Sequence, residues 1–219
     1  MGCSYFASQS VEDGSRSNLG KLGQKSAKNF RAPLLPMVIR RRAAYCSWMG
    51  GEPADFKLKL EFRMLVGGNS DIPYRSVSQP GRGPSPYDVG GYQYDFDFAG
   101  NYPGNLYENG MAANAPAGTG NRGIISYKGQ VVHLLPDAKR ETIGCVGDAT
   151  DLKGVMNING WNYIHIMARG PVLLHLLNGR LITATIDDDP VRRKTNGRIA
   201  VQMEGLGEVH FRNIWLKNW

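Results

Sequence analysis

Residues 55–66 read DFKLKLEFRMLV. Phe56, Leu58, Leu60, Phe62 and Met64 alternate with Lys57, Lys59, Glu61 and Arg63. In a β-strand a period of two puts the apolar set on one face and the charged set on the other, so one face is buried and the other is wet. The charged face, with Glu61 and Arg63, is either plain surface or the lining of a groove.

The residues on either side continue the β pattern. Gly67-Gly68-Asn69-Ser70 reads as a turn, and 72–77 as a short strand containing Arg75. Residues 79–91 read as a Pro/Gly loop. Over 92–98, Gln93, Asp95 and Asp97 share one face and Tyr92, Tyr94, Phe96 and Phe98 the other. Residues 99–121 read as one long Asn/Gly/Ala loop around Leu106-Tyr107-Glu108, a length more often functional or mobile than filler. Two short strands are expected over 124–135 around Lys128-Gly129, then loop and turn with one helical turn at most over 136–153. Residues 161–168 read as a strand. Residues 172–177 and 180–186 flank Asn178-Gly179, a strong signal for a two-residue hairpin. Residues 198–204 and 208–217 read as a last pair around Gly205-Leu206-Gly207. Strands at this spacing, without a sustained helical period, predict an all-β, antiparallel two-sheet sandwich or a barrel.

Toward the N-terminus the signal fades. Residues 34–48 admit one strand, and 1–32 show no periodicity and read as loosely ordered. The expected division is a basic, poorly defined segment over 1–54 and a β-domain over 55–219. The net charge of +7 sits almost wholly in the first part, where residues 1–50 hold eight Lys/Arg against two acids. The body is therefore close to neutral. With no aromatic–basic pattern along any strand, nucleic acid is the weakest partner class. Cys3, Cys46 and Cys145 form no CxxC pair, so no zinc or redox motif is expected. A Cys46–Cys145 bridge is open, with idle thiols the default. No run of about 18 apolar residues is present, so no transmembrane helix is expected. No apolar run of a signal peptide is visible.

Several short motifs then fall in order. Asp55-Phe56 through Arg63 is followed by Gly68-Asn69-Ser70-Asp71-Ile72 and Tyr74-Arg75, then by Gly91-Tyr92-Gln93-Tyr94-Asp95. Gly104-Asn105-Leu106-Tyr107-Glu108, Arg122-Gly123-Ile124, Gly160-Trp161-Asn162 and Leu177-Asn178-Gly179 come next. The set closes with 199–202 and Val209-His210-Phe211-Arg212-Asn213-Ile214. Together they resemble the 3-keto-disaccharide hydrolase family across about 55–217. The resemblance implies a concanavalin A-like jelly roll with a sugar groove on its concave sheet. It also implies cleavage of 3-keto-glycosides and a periplasmic or secreted bacterial setting. Asp71 stands where the family usually has Gly, and Glu204 where His is common. The family's opening strand is not recognisable in 1–54.

Period-two geometry gives the candidate site independently. Glu61 with Arg63, Gln93 with Asp95 and Asp97, and Gln202 with Glu204 each share a face opposite apolar residues. If their strands are neighbours, the sets merge into one polar groove. A sugar site needs planar polar groups for paired hydroxyls and an aromatic face for the ring. The candidate binding residues are Glu61, Gln93, Tyr107, Glu108, Trp161 and Gln202. Ordinary glycoside hydrolysis would need two carboxyls about 5–10 Å apart. A 3-keto sugar permits a second route, removal of the C2 proton followed by departure of the C1 group and addition of water. That route asks for one base and a cation for the enolate. The candidates are Asp95 or Glu204 as base and Arg75 or Arg122 as cation, with a divalent metal ion as a possible substitute for Arg. Arg75 could equally pair with Glu61 or Asp95 to hold the sheet. His165 and His175 read as structural, and Asp187-Asp188-Asp189 as an acidic turn. A non-catalytic carbohydrate-binding module on the same fold is the competing expectation.

Overall fold

The computed structural model describes residues 5–6, 29–31, 37–39, 44–79, 88–109 and 122–219. The expectation for 1–32 lies largely outside the described residues, as does much of the 99–121 segment. In chain order the strands are β1 (Tyr5–Phe6), β2 (Asn29–Arg31), β3 (Met37–Ile39), β4 (Ala44–Trp48), β5 (Phe56–Val66), β6 (Asn69–Ser78), β7 (Val89–Asp97) and β8 (Asn105–Glu108). They continue with β9 (Gly123–Ser126), β10 (Gln130–Leu134), β11 (Arg140–Cys145), β12 (Asn162–Arg169), β13 (Val172–Leu177), β14 (Arg180–Asp187), β15 (Ala200–Glu204) and β16 (Glu208–Asn218). One short helix, α1 (Ala149–Lys153), starts at Asp148, whose carboxylate accepts from the backbone N–H groups of Thr150 and Asp151.

The front sheet runs β1-β4-β15-β6-β7-β8-β9, and the back sheet β11-β10-β14-β13-β12-β5-β16-β2, with β3 also paired to β16. All pairs are antiparallel except β1–β4 and β10–β14. The inner faces meet in one apolar core. Phe62 of the back sheet lies 4.2 Å from Phe96 of the front sheet, ring to ring, and Phe96 packs edge-on against Phe211. Each such ring, fully buried, contributes roughly 1.5–3 kcal/mol. Strand β5 carries its apolar residues inward and its charges outward, as the alternation of 55–66 requires. Asn178 and Gly179 both adopt positive φ, 49° and 82°, which a tight hairpin of this hand demands.

Four expectations need correction. Residues before 55 contribute β1 to β4 to the two sheets, so the sandwich begins earlier than the fading periodicity suggested. These strands are short and owe their place to tertiary pairing. The 99–121 segment contains β8, a strand paired on both sides, and 136–153 contains the edge strand β11. The last pair, 198–204 and 208–217, is no hairpin. β15 lies in the front sheet and β16 in the back sheet, and the Gly-rich link between them crosses the core edge. Cys46 is buried in the front sheet and Cys145 is exposed on β11 of the back sheet, and no disulfide joins them.

Candidate functional site

Backbone register brings the polar faces of five front strands together. Tyr45 of β4 lies opposite Gln202 of β15, Gln202 opposite Asp71 of β6, Asp71 opposite Asp95 of β7, and Asp95 opposite Asn105 of β8. The next rung holds Glu204, Asn69 and Asp97, and the rung on the other side holds Pro73, Gln93 and Tyr107. All lie on the face away from the core, because Val201, Met203, Ile72, Tyr74, Tyr92, Tyr94 and Phe96 fill it.

The cluster is knit by amides. Gln93 donates to Asp71 at 3.0 Å. Gln202, with its amide set to satisfy both ends, donates to Asp71 and accepts from the Tyr45 hydroxyl at 2.9 Å. Asn69 bridges Asp95 at 3.4 Å and Glu204 at 3.2 Å, while its Oδ1 has no hydrogen-bond partner among the described residues. Asp97 is committed elsewhere, closing the turn after β7 by accepting from Asn101 and from the backbone of Tyr102.

Burial and like charge act in one direction here. Asp71, 2% exposed, is held well above the usual carboxylate range, first by burial and then by Asp95 and Glu204. Asp95, 9% exposed, is pushed up to about 7, again chiefly by burial. The front face thus carries two carboxyls raised by burial and like charge, of which Asp95 is poised to exchange a proton near neutrality.

The folded state holds the Asp95 proton more tightly than the unfolded chain does. The stability this gives is complete below about pH 4 and is lost as pH rises through about 7. Asp95→Asn should therefore match the wild type in stability near pH 4 and exceed it above pH 7, by up to roughly 2–4 kcal/mol. Melting curves across pH 4–8 measure this. A constant offset would show that burial is not the cause. The core has the opposite slope: His175 accepts from Tyr74, donates toward Gly104, and is lowered by burial to about 4.

Gln93, Asp95, Tyr107, Gln202 and Glu204 are thus brought to one face, and the remaining candidates lie elsewhere. Glu61 is on the outer face of the back sheet, accepting from Arg212 at 2.8 Å and Asn213 at 2.6 Å. Trp161 is on the same outer face, with the Arg212 guanidinium 3.8 Å over its ring. Arg75 is 1% exposed. A bulge in β6 and a φ of 46° turn it off the groove face, and it donates to the carbonyls of Ala54, Gly170 and Lys194 and to Asp55. It pairs with neither Glu61 nor Asp95. Arg122 donates to Glu108 at 2.6 Å and to both oxygens of Asp187. Glu108 lies beside Tyr92 in register, on the inner side of β8, and the Tyr92 hydroxyl also donates to Asp187 at 2.5 Å. Asp187 is thus a buried anchor rather than part of an acidic turn. Among the described residues no three His, Cys, Asp or Glu side chains converge as a metal site requires.

Tyr45, Asn69 and Asp71 were not among the candidate site residues, although Asp71 stood out as a departure from the family's pattern. Tyr45 and Ser47 alternate with the buried Cys46 and Trp48, and Asn69, Asp71 and Pro73 with Ser70, Ile72 and Tyr74. Period two was present in both runs, but each is short or interrupted.

A family model described as the 3-keto-alpha-glucoside-1,2-lyase-like domain matches residues 40–217. No curated protein is similar in sequence. Among solved structures, the carbohydrate-binding module CBM66 from Bacillus subtilis superposes with a TM-score of 0.50 at 12% identity, covering 85% of this chain and 93% of that one. A candidate glycosyl hydrolase from Parabacteroides distasonis gives 0.46 at 15%, covering 84% and 80%. A Bacillus subtilis protein of unknown function with a galectin-like fold gives 0.49 at 9%, covering 84% and 82%. At these identities the first supports the jelly-roll fold. No helix among the described residues is long and apolar enough to cross a membrane.

Proposed function

Because the chain belongs to the 3-keto-alpha-glucoside-1,2-lyase-like family, we propose that it acts on 3-keto-glycosides by elimination across C1 and C2, with Asp95 as the base. The supporting observation is a carboxyl of near-neutral pKa set among amide donors on the outer face of the front sheet. Asp95 removes the proton on C2, which the C3 ketone acidifies. The electrons of that C–H bond form the C1–C2 double bond as the C1–O bond breaks, and the leaving oxygen takes up a proton. Water then adds across the double bond, its hydroxyl joining C1 while the proton held by Asp95 returns to C2, to give the free 3-keto sugar.

Neither Arg75 nor Arg122 reaches this face, so among the described residues stabilisation of the enolate falls to neutral donors. Gln93, Asn69 and the hydroxyl of Tyr107 are the groups of that kind in reach of the same rungs. Asn69 Oδ1 is an unused acceptor for a sugar hydroxyl. Among the described residues the face is lined by amides and tyrosines and holds no guanidinium, which also suits simple sugar binding, and this observation favours the second reading, a carbohydrate-binding module.

The test is release of a chromogenic leaving group from a 3-keto-glucoside and from its unoxidised parent. Release from the keto compound alone is expected. Release from the parent would point to two-carboxylate hydrolysis instead. Sugar binding without release from either would leave the binding module.

A further inference from the structure

The outer face of the back sheet has a composition of its own. Lys57, Lys59, Glu61 and Arg63 of β5 point outward there, beside Tyr163, His165, Met167 and Arg169 of β12 and Trp215 and Lys217 of β16. Three of the chain's four tryptophans belong to this face, and each of two is covered by cations. Lys57 lies 4.8 Å and Arg169 5.3 Å from the Trp219 ring, while Arg212 and Arg63 lie 3.8 and 5.0 Å from Trp161. Trp215 and Trp219 are nearly half exposed.

This arrangement costs the free protein stability. Lys57 sits directly opposite Lys217, and like charges in cross-strand register repel. Among the described residues of these three strands the outer face has two acids, and both are engaged: Glu61 by Arg212, Glu208 by His210. Among the described residues, Lys57, Lys59, Arg63, Arg169 and Lys217 have no carboxylate within ion-pair distance. Arg63 Nε and His165 Nε2 are buried without a partner. After burial, the fields of Lys59 and Lys57 are what hold His165 down to about 4.

We propose that this face is a second binding surface, for an acidic polysaccharide whose carboxylates or sulfates meet the cation row and whose rings pack against the exposed parts of Trp215 and Trp219 beside it. The geometry matches a repeating anion rather than a single one. Lys57 and Lys59 stand about 6.6 Å apart along β5, Glu61 interrupts the row before Arg63, and the line from the Arg63 rung to the Trp219 end runs about 26 Å. Stacking on aromatics and long-range attraction by basic side chains are separate, additive reasons for a polyanion with flat faces to settle here. The choice of a glycan over single-stranded nucleic acid, which uses the same two contacts, rests on the carbohydrate reading of the front face.

The full chain would be run in affinity electrophoresis against polygalacturonate, heparin, neutral dextran and an oligothymidylate, with melting temperatures taken for every variant. Retention by the two acidic glycans but not by dextran is expected, weakening steeply with salt. The Lys57→Gln/Lys59→Gln double variant and Trp215→Ala should each weaken it about tenfold or more, and Asp95→Asn should leave it unchanged. No retention of the wild type would overturn the proposal. So would equal retention of folded back-face variants, loss of retention in Asp95→Asn, or tighter binding of the oligothymidylate. Because the back-face variants leave the front groove intact, failure here is distinguishable from failure of the 3-keto-glycoside assay.

Discussion

Replacing Asp95 by Asn is expected to lower kcat on a 3-keto-glucoside by about 10²–10⁴-fold, the ordinary worth of a general base, with KM changed little. The substitution keeps the shape of the side chain and its reach to Asn69, 3.4 Å away, so sugar contacts on the rung survive. It removes only the ability to take a proton. In the wild type the same group should impose a rise in kcat/KM with pH, centred on the free-enzyme value of about 7. Steady-state kinetics from pH 5 to 9 on both proteins reads both effects. A variant within about twofold of wild type would move the base to another carboxyl, with Glu204 the first to try, since it shares Asn69 with Asp95. The melting curves described above provide the control. A variant that is more stable at pH 8 and yet inactive has lost chemistry rather than structure.

Arg122→Met is expected to act in the opposite way, costing roughly 3–5 kcal/mol of stability and little activity at a temperature where the variant remains folded. Arg122 is 7% exposed and faces Glu108 and Asp187, 1% and 0% exposed. Burial alone would weaken the guanidinium's hold on its proton, but the bonds to Asp187 and Glu108 more than offset this and raise its pKa. Glu108 is raised by its own burial, against the pull of Arg122 and Lys194. Removing the cation leaves two carboxyls in the interior with only Lys194, 3.5 Å from Glu108, as a partial substitute. For a chain of this size the loss corresponds to about 10 °C in melting temperature. Calorimetry beside the keto-glucoside assay separates the roles. A stable but inactive Arg122→Met would restore the guanidinium to the chemistry.

What the sequence reveals here depends on parity and on register, and it contains only the first. Parity along β5, β7 and β15 assigns Gln93, Asp95, Gln202 and Glu204 to faces opposite the core, and the structure brings those faces together. Parity says nothing about which sheet a strand joins. Glu61 and Trp161 obey their periods and still end on the far side of the molecule. Glu108 belongs to a strand of four residues, too short for a period to register. Its inward direction follows only from standing opposite Tyr92. Arg75 breaks parity altogether, because the β-bulge inserts residues and turns its backbone through a positive φ. The aromatic–basic surface on the back sheet was invisible for a related reason. Along any one strand it is ordinary alternation, and it forms only where β5, β12 and β16 lie side by side.

The placement of β16 has a bearing on how the molecule is made. This strand is interior to the back sheet, pairing β5 on one side and β2 and β3 on the other, and it starts at residue 208 whereas β5 ends at residue 66. On the ribosome, β5 therefore waits with both long edges unpaired until β12 arrives, and with one still open until β16 does. An open edge of eleven residues is a template for other chains. The lysines and the arginine that β5 turns outward are the kind of charge that blunts such edges. The same row that would hold a polyanion in the finished protein would then guard the nascent one against its neighbours.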